Sequence, residues 1–112
     1  MVPTFVVRRT ADFSGWLDAL ESPVVRAAIL TRLARLGLGN PGDVKPVGSG
    51  VSELRIDIGP GYRAYYVRVG SRTYLIQGGG DKSSQVKDIE RAIALANDLR
   101  AVSRAKQRRK QK

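Results

Sequence analysis

The sequence predicts an α+β domain: an antiparallel sheet of four to five strands, two N-terminal helices on one of its faces and a C-terminal helix, in the order β-α-α-β-β-β-β-α. Three observations predict it. Two apolar stripes at helical spacing follow one another between residues 13 and 36. Strand-like runs bounded by glycine and proline fill residues 43 to 79. A third helical stripe, residues 86 to 96, comes after them. Two helices bury their stripes only by covering a face of the sheet, which leaves the opposite face partly open and polar.

Taken in order, residues 4–8 (TFVVR) are β-branched and apolar and read as a short first strand. Phe13, Trp16, Leu17 and Leu20 lie at i, i+3, i+4 and i+7, one face of a helix. Ser22-Pro23 reads as the N-cap and first residue of a second helix. Its stripe is Val25, Ile29, Leu33 and Leu36, and Gly37 and Gly39 stop it. Residues 43–47 form an edge strand, because Pro46 lacks the amide donor of a central one. In residues 51–58, Leu54, Ile56 and Ile58 face one way and Glu53, Arg55 and Asp57 the other. Residues 62–69 and 73–79 follow as strands joined at Gly70-Ser71. The consecutive apolar run Tyr74-Leu75-Ile76 fits a strand covered on both faces. Ser83 or Ser84 caps the last helix, whose stripe is Val86, Ile89, Ile93 and Ala96. Residues 1–100 therefore read as a single domain. Residues 101–112 read as a basic tail, expected to be solvated and disordered.

The hairpin across Gly59-Pro60-Gly61 sets which side chains share a face. A three-residue loop puts Ile58 opposite Tyr62, Asp57 opposite Arg63 and Arg55 opposite Tyr65. One face is then apolar, with Leu54, Ile56, Ile58, Tyr62, Ala64 and Tyr66. The other holds Glu53, Arg55, Asp57, Arg63 and Tyr65. A shift of one residue would scatter Arg55 and Arg63 to opposite faces. The strand after Gly70 returns beside this hairpin, so Lys82 and the amides of the last helix are expected near Arg63, an arrangement that favours an anion.

Composition bounds the chemistry. The 112 residues are 42% hydrophobic and 27% charged, as in a globular domain. There is no cysteine and no histidine, which removes disulfides, zinc sites of the usual ligand types and Ser-His or Cys-His catalysis. No metal or other cofactor is expected. The N-terminal apolar run is too short for a signal peptide or a membrane span, and a cytoplasmic location is expected. Net charge is +10, which favours nucleic acid or another acidic partner. Residues 104–112 hold six basic and no acidic side chains, leaving 14 basic against 10 acidic, a net +4, for the rest.

The most informative stretch carries a resemblance. Its ordered pieces are GNPGD-x-K (39–45), G-x-GV-x-ELRI (48–56), GPGYR-x-YY (59–66) and GGxDKxxQ (78–85). In these the chain resembles the addiction-module killer proteins related to a phage-derived protein, within the RelE/HigB/ParE toxin superfamily. The match runs from about Phe13 to Ala96. The resemblance implies the compact α+β toxin fold and the toxin part of a type II toxin–antitoxin pair. Its partners would be a cognate antitoxin (a small helix-turn-helix protein), mRNA and the ribosome, with operator DNA reached only through the antitoxin complex and no membrane involved. It also implies a ribosome-dependent mRNA endoribonuclease, or, in the ParE-like branch, a DNA gyrase inhibitor that cuts no RNA. A non-catalytic basic nucleic-acid-binding module is the further alternative.

An RNA-cleaving site without histidine is chemically sound. RNA supplies its own nucleophile, the 2′-hydroxyl, so the protein must align it, take up a proton and stabilise charge on the phosphorane. Arginine braces two phosphate oxygens in a fork, and lysine acts as a point charge. By the resemblance, Arg63 in the GYR piece corresponds to the phosphate-binding arginine, with Arg55 and Lys82 as the other catalytic candidates. Lys45, Tyr65, Gln85 and Lys87 are the RNA-binding candidates. RelE-like toxins often place a tyrosine or histidine near the C-terminal helix. Here that region offers only Gln85, Lys87 and Asp88, which leaves the general base open.

Overall fold

The computed structural model describes residues 4–110, with side chains through Arg108. Its elements are β1 (Val6–Arg9), α1 (Ala11–Ala19), α2 (Pro23–Gly37), β2 (Val44–Gly48), β3 (Val51–Ile56), β4 (Tyr62–Arg68), β5 (Thr73–Asp81), a 3-10 turn (Lys82–Ser84) and α3 (Gln85–Lys110). The α+β class and the element order agree with expectation. The 3-10 turn adds a helical element that the sequence reading lacked.

The helices start where local chemistry dictates. Thr10 caps α1 by accepting from the Phe13 amide at 3.1 Å. Ser22 caps α2 by accepting from the Val25 amide at 3.2 Å, and Pro23 occupies the first turn. At the end of α2, Gly39 adopts φ +82° while the Asn40 amide reaches back to the Arg35 carbonyl. That left-handed turn satisfies orphan carbonyls and is cheap only for glycine.

One five-stranded sheet runs in the order β1-β5-β4-β3-β2. It is mixed, which corrects the purely antiparallel expectation: β1 pairs parallel with β5, Val6 beside Thr73 through Arg9 beside Ile76. The physical reason is the crossover. β1 and β2 lie at opposite edges, so α1 and α2 must carry the chain across the whole sheet, and the direction of arrival is not written in either strand. The same span lets both helices bury Phe13, Leu17, Ile29, Leu33 and Leu36 against Leu54, Ile56, Ala64, Tyr66 and Ile76.

The opposite face carries a smaller cluster. Ala92 and Ala96 of α3 pack with Val51, Tyr65 and Val67, flanked by Ile89 and Ile93. Tyr74 and Ile76 contribute to the first cluster and Leu75 to the second, as the uninterrupted apolar run of β5 predicts. Val86, placed in the buried stripe by spacing, is exposed, and Ala92 fills that role. α3 continues to Lys110 through the segment read as a tail, and its side chains from Ala101 to Arg108 are all exposed.

Candidate nucleic-acid interface

The register of β3 and β4 decides the site. Ile56 lies opposite Tyr62, Leu54 opposite Ala64 and Glu53 opposite Tyr65. Arg55 therefore lies directly opposite Arg63. The connecting loop holds residues 57–61, closed by a turn in which the Gly61 amide donates to the Ile58 carbonyl at 3.0 Å. This corrects the three-residue loop by two residues. A shift of two preserves parity, so the predicted faces survive: Arg55, Arg63, Glu53 and Tyr65 still share one. Asp57 falls outside the strand and cannot stand opposite Arg63.

Two arginines directly opposite repel unless countered. Each has its own carboxylate. Arg55 donates from Nη2 to Asp43 Oδ1 at 3.0 Å, an exposed pair. Arg63 is different: its side chain is only 13% exposed, and its Nε lies 3.5 Å from Oε2 of Glu53, whose exposure is 0%. At that distance the pair is ionic, and Nε makes no hydrogen bond. Glu53 Oε2 also accepts from the Gln85 amide at 2.9 Å and from the Tyr65 hydroxyl at 3.3 Å. Its Oε1 is buried without a partner. Arg63 Nη1 donates to the Gly61 carbonyl at 3.2 Å, which ties the loop to the same group.

Close backbone approach brings α3 over this network. On that side of β5 a side chain at Gly80 would collide with the Asp88 carboxylate of α3, whereas one at Gly79 would collide with the Trp16 ring of α1. Asp88 is held by Ser84 at 2.6 Å. Asp81, at the end of β5, accepts from the Ser83 hydroxyl and, at 2.8 Å, from the Ser83 amide, and these two bonds lower its pKa. The turn into α3 thus carries carboxylates of its own, and Asp81 already takes the Ser83 amide that an incoming anion would use.

A shallow groove of about 190 Å³ remains open, lined by Asp43, Arg55, Asp57, Gly61, Tyr62 and Arg63 among others. Of the catalytic candidates, Arg55 and Arg63 meet there. Lys82 lies just past Asp81, the partner of Tyr62 at the end of the β4–β5 ladder, and its side chain is exposed. Of the RNA-binding candidates, Lys45 sits opposite Glu53 on the edge strand, exposed, and Lys87 is exposed on the first turn of α3. Among the described residues, none of these three lysines makes an ion pair or a side-chain hydrogen bond.

Two candidates are corrected. Tyr65 is 1% exposed, packed under α3, so its ring is closed to a stacking base. Burial, followed by the negative charges of Glu53 and Asp88, pushes its hydroxyl far above the ordinary tyrosine range, which removes it as a base. Gln85 turns its amide inward to Glu53 rather than outward to a ligand. Sequence reasoning missed Glu53 as the centre of the network, because strand alternation places it on the polar face and carries no sign of the helix above it. It also missed Arg32 of α2, which donates to the Arg55 carbonyl at 2.6 Å and the Pro41 carbonyl at 3.0 Å and so fixes the loop that delivers Asp43.

Comparison with known proteins places the chain among relatives without adding an activity. An uncharacterized protein of Haemophilus influenzae (strain ATCC 51907 / DSM 11121 / KW20 / Rd) is 43% identical over 96 residues, covering 86% of this chain and 97% of its own length. The chain belongs to the same family as that protein. No protein-family profile matches the chain. No helix among the described residues is long and apolar enough to cross a membrane.

Proposed function

We propose that this chain is the toxin of a type II toxin–antitoxin pair, acting in the cytoplasm as a ribosome-dependent mRNA endoribonuclease. The observation that carries the reading is the direct juxtaposition of Arg55 and Arg63 over an open groove, at the position of the ELRI and GYR pieces of the resemblance. In this reading Arg55 leaves Asp43 to brace the scissile phosphate, since an exposed pair is worth only about 0–1 kcal/mol. Arg63 offers the guanidinium donors left over from Glu53 and Gly61 from a fixed base, and Lys82 adds a point charge from the end of β5. With Tyr65 buried, Asp43 and Asp57 are the groove-lining groups able to accept the proton of the 2′-hydroxyl. A cognate antitoxin, encoded beside the chain, would hold it inactive.

The test is induction of this protein alone. Growth should arrest, and primer extension on cellular mRNA should show new 5′ ends in translated regions. Co-expression of the neighbouring reading frame should restore growth. Normal growth with confirmed soluble expression would sink the toxin reading. One observation favours the gyrase-inhibitor alternative: Arg63 and Gln85 are both engaged by Glu53, and no tyrosine or histidine is presented on the first turn of α3. Growth arrest without mRNA ends, accompanied by loss of DNA supercoiling, would select that branch.

A further inference from the structure

One unused surface lies on α3, away from the arginine groove. Leu95, Leu99 and Val102 lie at i, i+4 and i+7, so they form one stripe. All are exposed, Leu99 to 40% and Val102 to 54%. Beside them, Val69 is exposed just past the end of β4. Leu99, Val102 and Val69 line one trough of about 360 Å³ between α3 and the sheet, with Arg100 and Lys106 on its walls. Arg100 also donates to the Ser49 carbonyl in the β2–β3 turn, which latches the helix as it leaves the sheet. Beyond that latch, every side chain from Ala101 to Arg108 is exposed. Helices in water draw most of their stability from a packed apolar face, and this segment has the face without the packing.

Charge selects the occupant. From Leu99 onward the sequence has seven basic side chains and no acidic one. A second copy of a chain with net charge +10 would bring the same sign to the same surface. RNA would satisfy the charges but leave Leu99, Val102 and Val69 uncovered. β4 is interior to the sheet, so no strand edge is free at this point for an extended peptide. We infer that the trough between α3 and the end of β4 is a docking site for an acidic amphipathic helix of another protein, which lays its apolar face on Leu99, Val102 and Val69 and its carboxylates against Arg100 and Lys106. This surface is independent of the arginine groove and of whether that groove cleaves RNA.

The test uses the full chain. Its probe is a synthetic Glu-rich helical peptide of about five turns with leucines on one face. The control has the same composition with leucines distributed around the helix. Fluorescence anisotropy is read at about 0.15 M salt, where surface charge is screened beyond about 8 Å. The patterned peptide should bind more tightly than the control by about tenfold or more. The Leu99→Ser/Val102→Ser variant should lose that preference while its melting temperature stays within about 4 °C of wild type, since both side chains are at least 40% exposed. Equal binding of the two peptides would overturn the inference by reducing the surface to charge alone. Sedimentation showing a dimer that the variant loses would assign the face to a second copy instead. A single-stranded RNA oligomer that binds in place of the patterned peptide, and equally well to the variant, would assign it to RNA.

Discussion

Arg63→Ala is the perturbation whose outcome the structure changes most. A polar-face arginine at a strand end should be removable without cost to the fold. Here its removal strands Glu53, a carboxylate with no solvent exposure. Breaking a buried pair by deleting one partner costs about 3–5 kcal/mol, because the remaining charge is buried uncompensated. Gln85 and Tyr65 still donate to Glu53 Oε2, which argues for the lower end, about 3 kcal/mol. At about 4 °C per kcal/mol for a chain of this length, the melting temperature should fall by about 12 °C. Circular dichroism melts at neutral pH measure this directly. The companion is the Arg63→Ala/Glu53→Gln double variant, which removes the stranded charge. It should melt several degrees above Arg63→Ala, a coupling of about 1 kcal/mol or more. An Arg63→Ala melt within 2 °C or so of wild type, or a double variant that melts lowest of all, would refute the buried-pair account. Any loss of activity in Arg63→Ala therefore has to be read beside its melt.

Arg55→Ala is the cleaner probe of the groove: its partner Asp43 is exposed, so stability should change by less than about 1 kcal/mol while toxicity on induction is lost, and a toxic variant with an intact melt would exclude Arg55 from the site. The Tyr65 pKa is raised above its ordinary value of 10.0 chiefly by burial, so the folded chain holds that proton more tightly than the unfolded one. The resulting stability is whole below about pH 10 and is lost as pH rises further, and Tyr65→Phe should flatten the decline in melting temperature over that range. Gly79→Ala should cost about 1–3 kcal/mol in urea denaturation through collision with Trp16 on a central strand, whereas Gly78→Ala, whose new methyl meets nothing within 4 Å, should stay within about 0.5 kcal/mol of wild type. Equal effects at the two positions would show that glycine is required there for backbone freedom and not for close approach. Deleting residues 104–112 should move the melting temperature by less than about 2 °C, because Arg104 to Arg108 are exposed and touch no core cluster; a larger drop would show that the end of α3 is packed.

What was legible in the sequence follows the ranges of the forces involved. The helices of residues 11–37 were readable because caps and stripes are local: Ser22, Pro23 and the 3.6-residue spacing say where α2 begins and which side is buried. The faces of β3 and β4 were readable because parity survives a two-residue slip. The slip itself was not, since Asp57 and Ile58 continue the alternation and nothing local says that the strand ends at Ile56. The parallel pairing of β1 was invisible because it depends on how two helices cross the sheet. The burial of Glu53 was invisible for a similar reason. Alternation identifies the face a side chain takes, and only the path of α3, which Gly80 allows to come close, determines that this part of the face is sealed.

The two arginines consequently have different chemistry, although the sequence offers them as a pair. Arg55 is held by one exposed carboxylate, so a phosphate can exchange with Asp43 at little net cost. Arg63 is anchored through Nε to a charge that has no other cation within ion-pairing distance among the described residues. Moving it toward a ligand would expose Glu53 to the full penalty of an unpaired buried charge. Arg63 is therefore a fixed reference point in the groove, and Arg55 is the group that moves. A ligand with two adjacent phosphates, as in RNA, would meet both. A single small anion would gain most of its attraction from Arg55 alone. The two cases separate in binding data: Arg55→Ala should abolish inorganic phosphate binding but only weaken an RNA oligomer, which keeps Arg63 and the exposed Lys45, Lys82 and Lys87 as further contacts. If Arg55→Ala removes binding of both ligands equally, Arg63 takes no part in recognition, and its charge serves Glu53 alone.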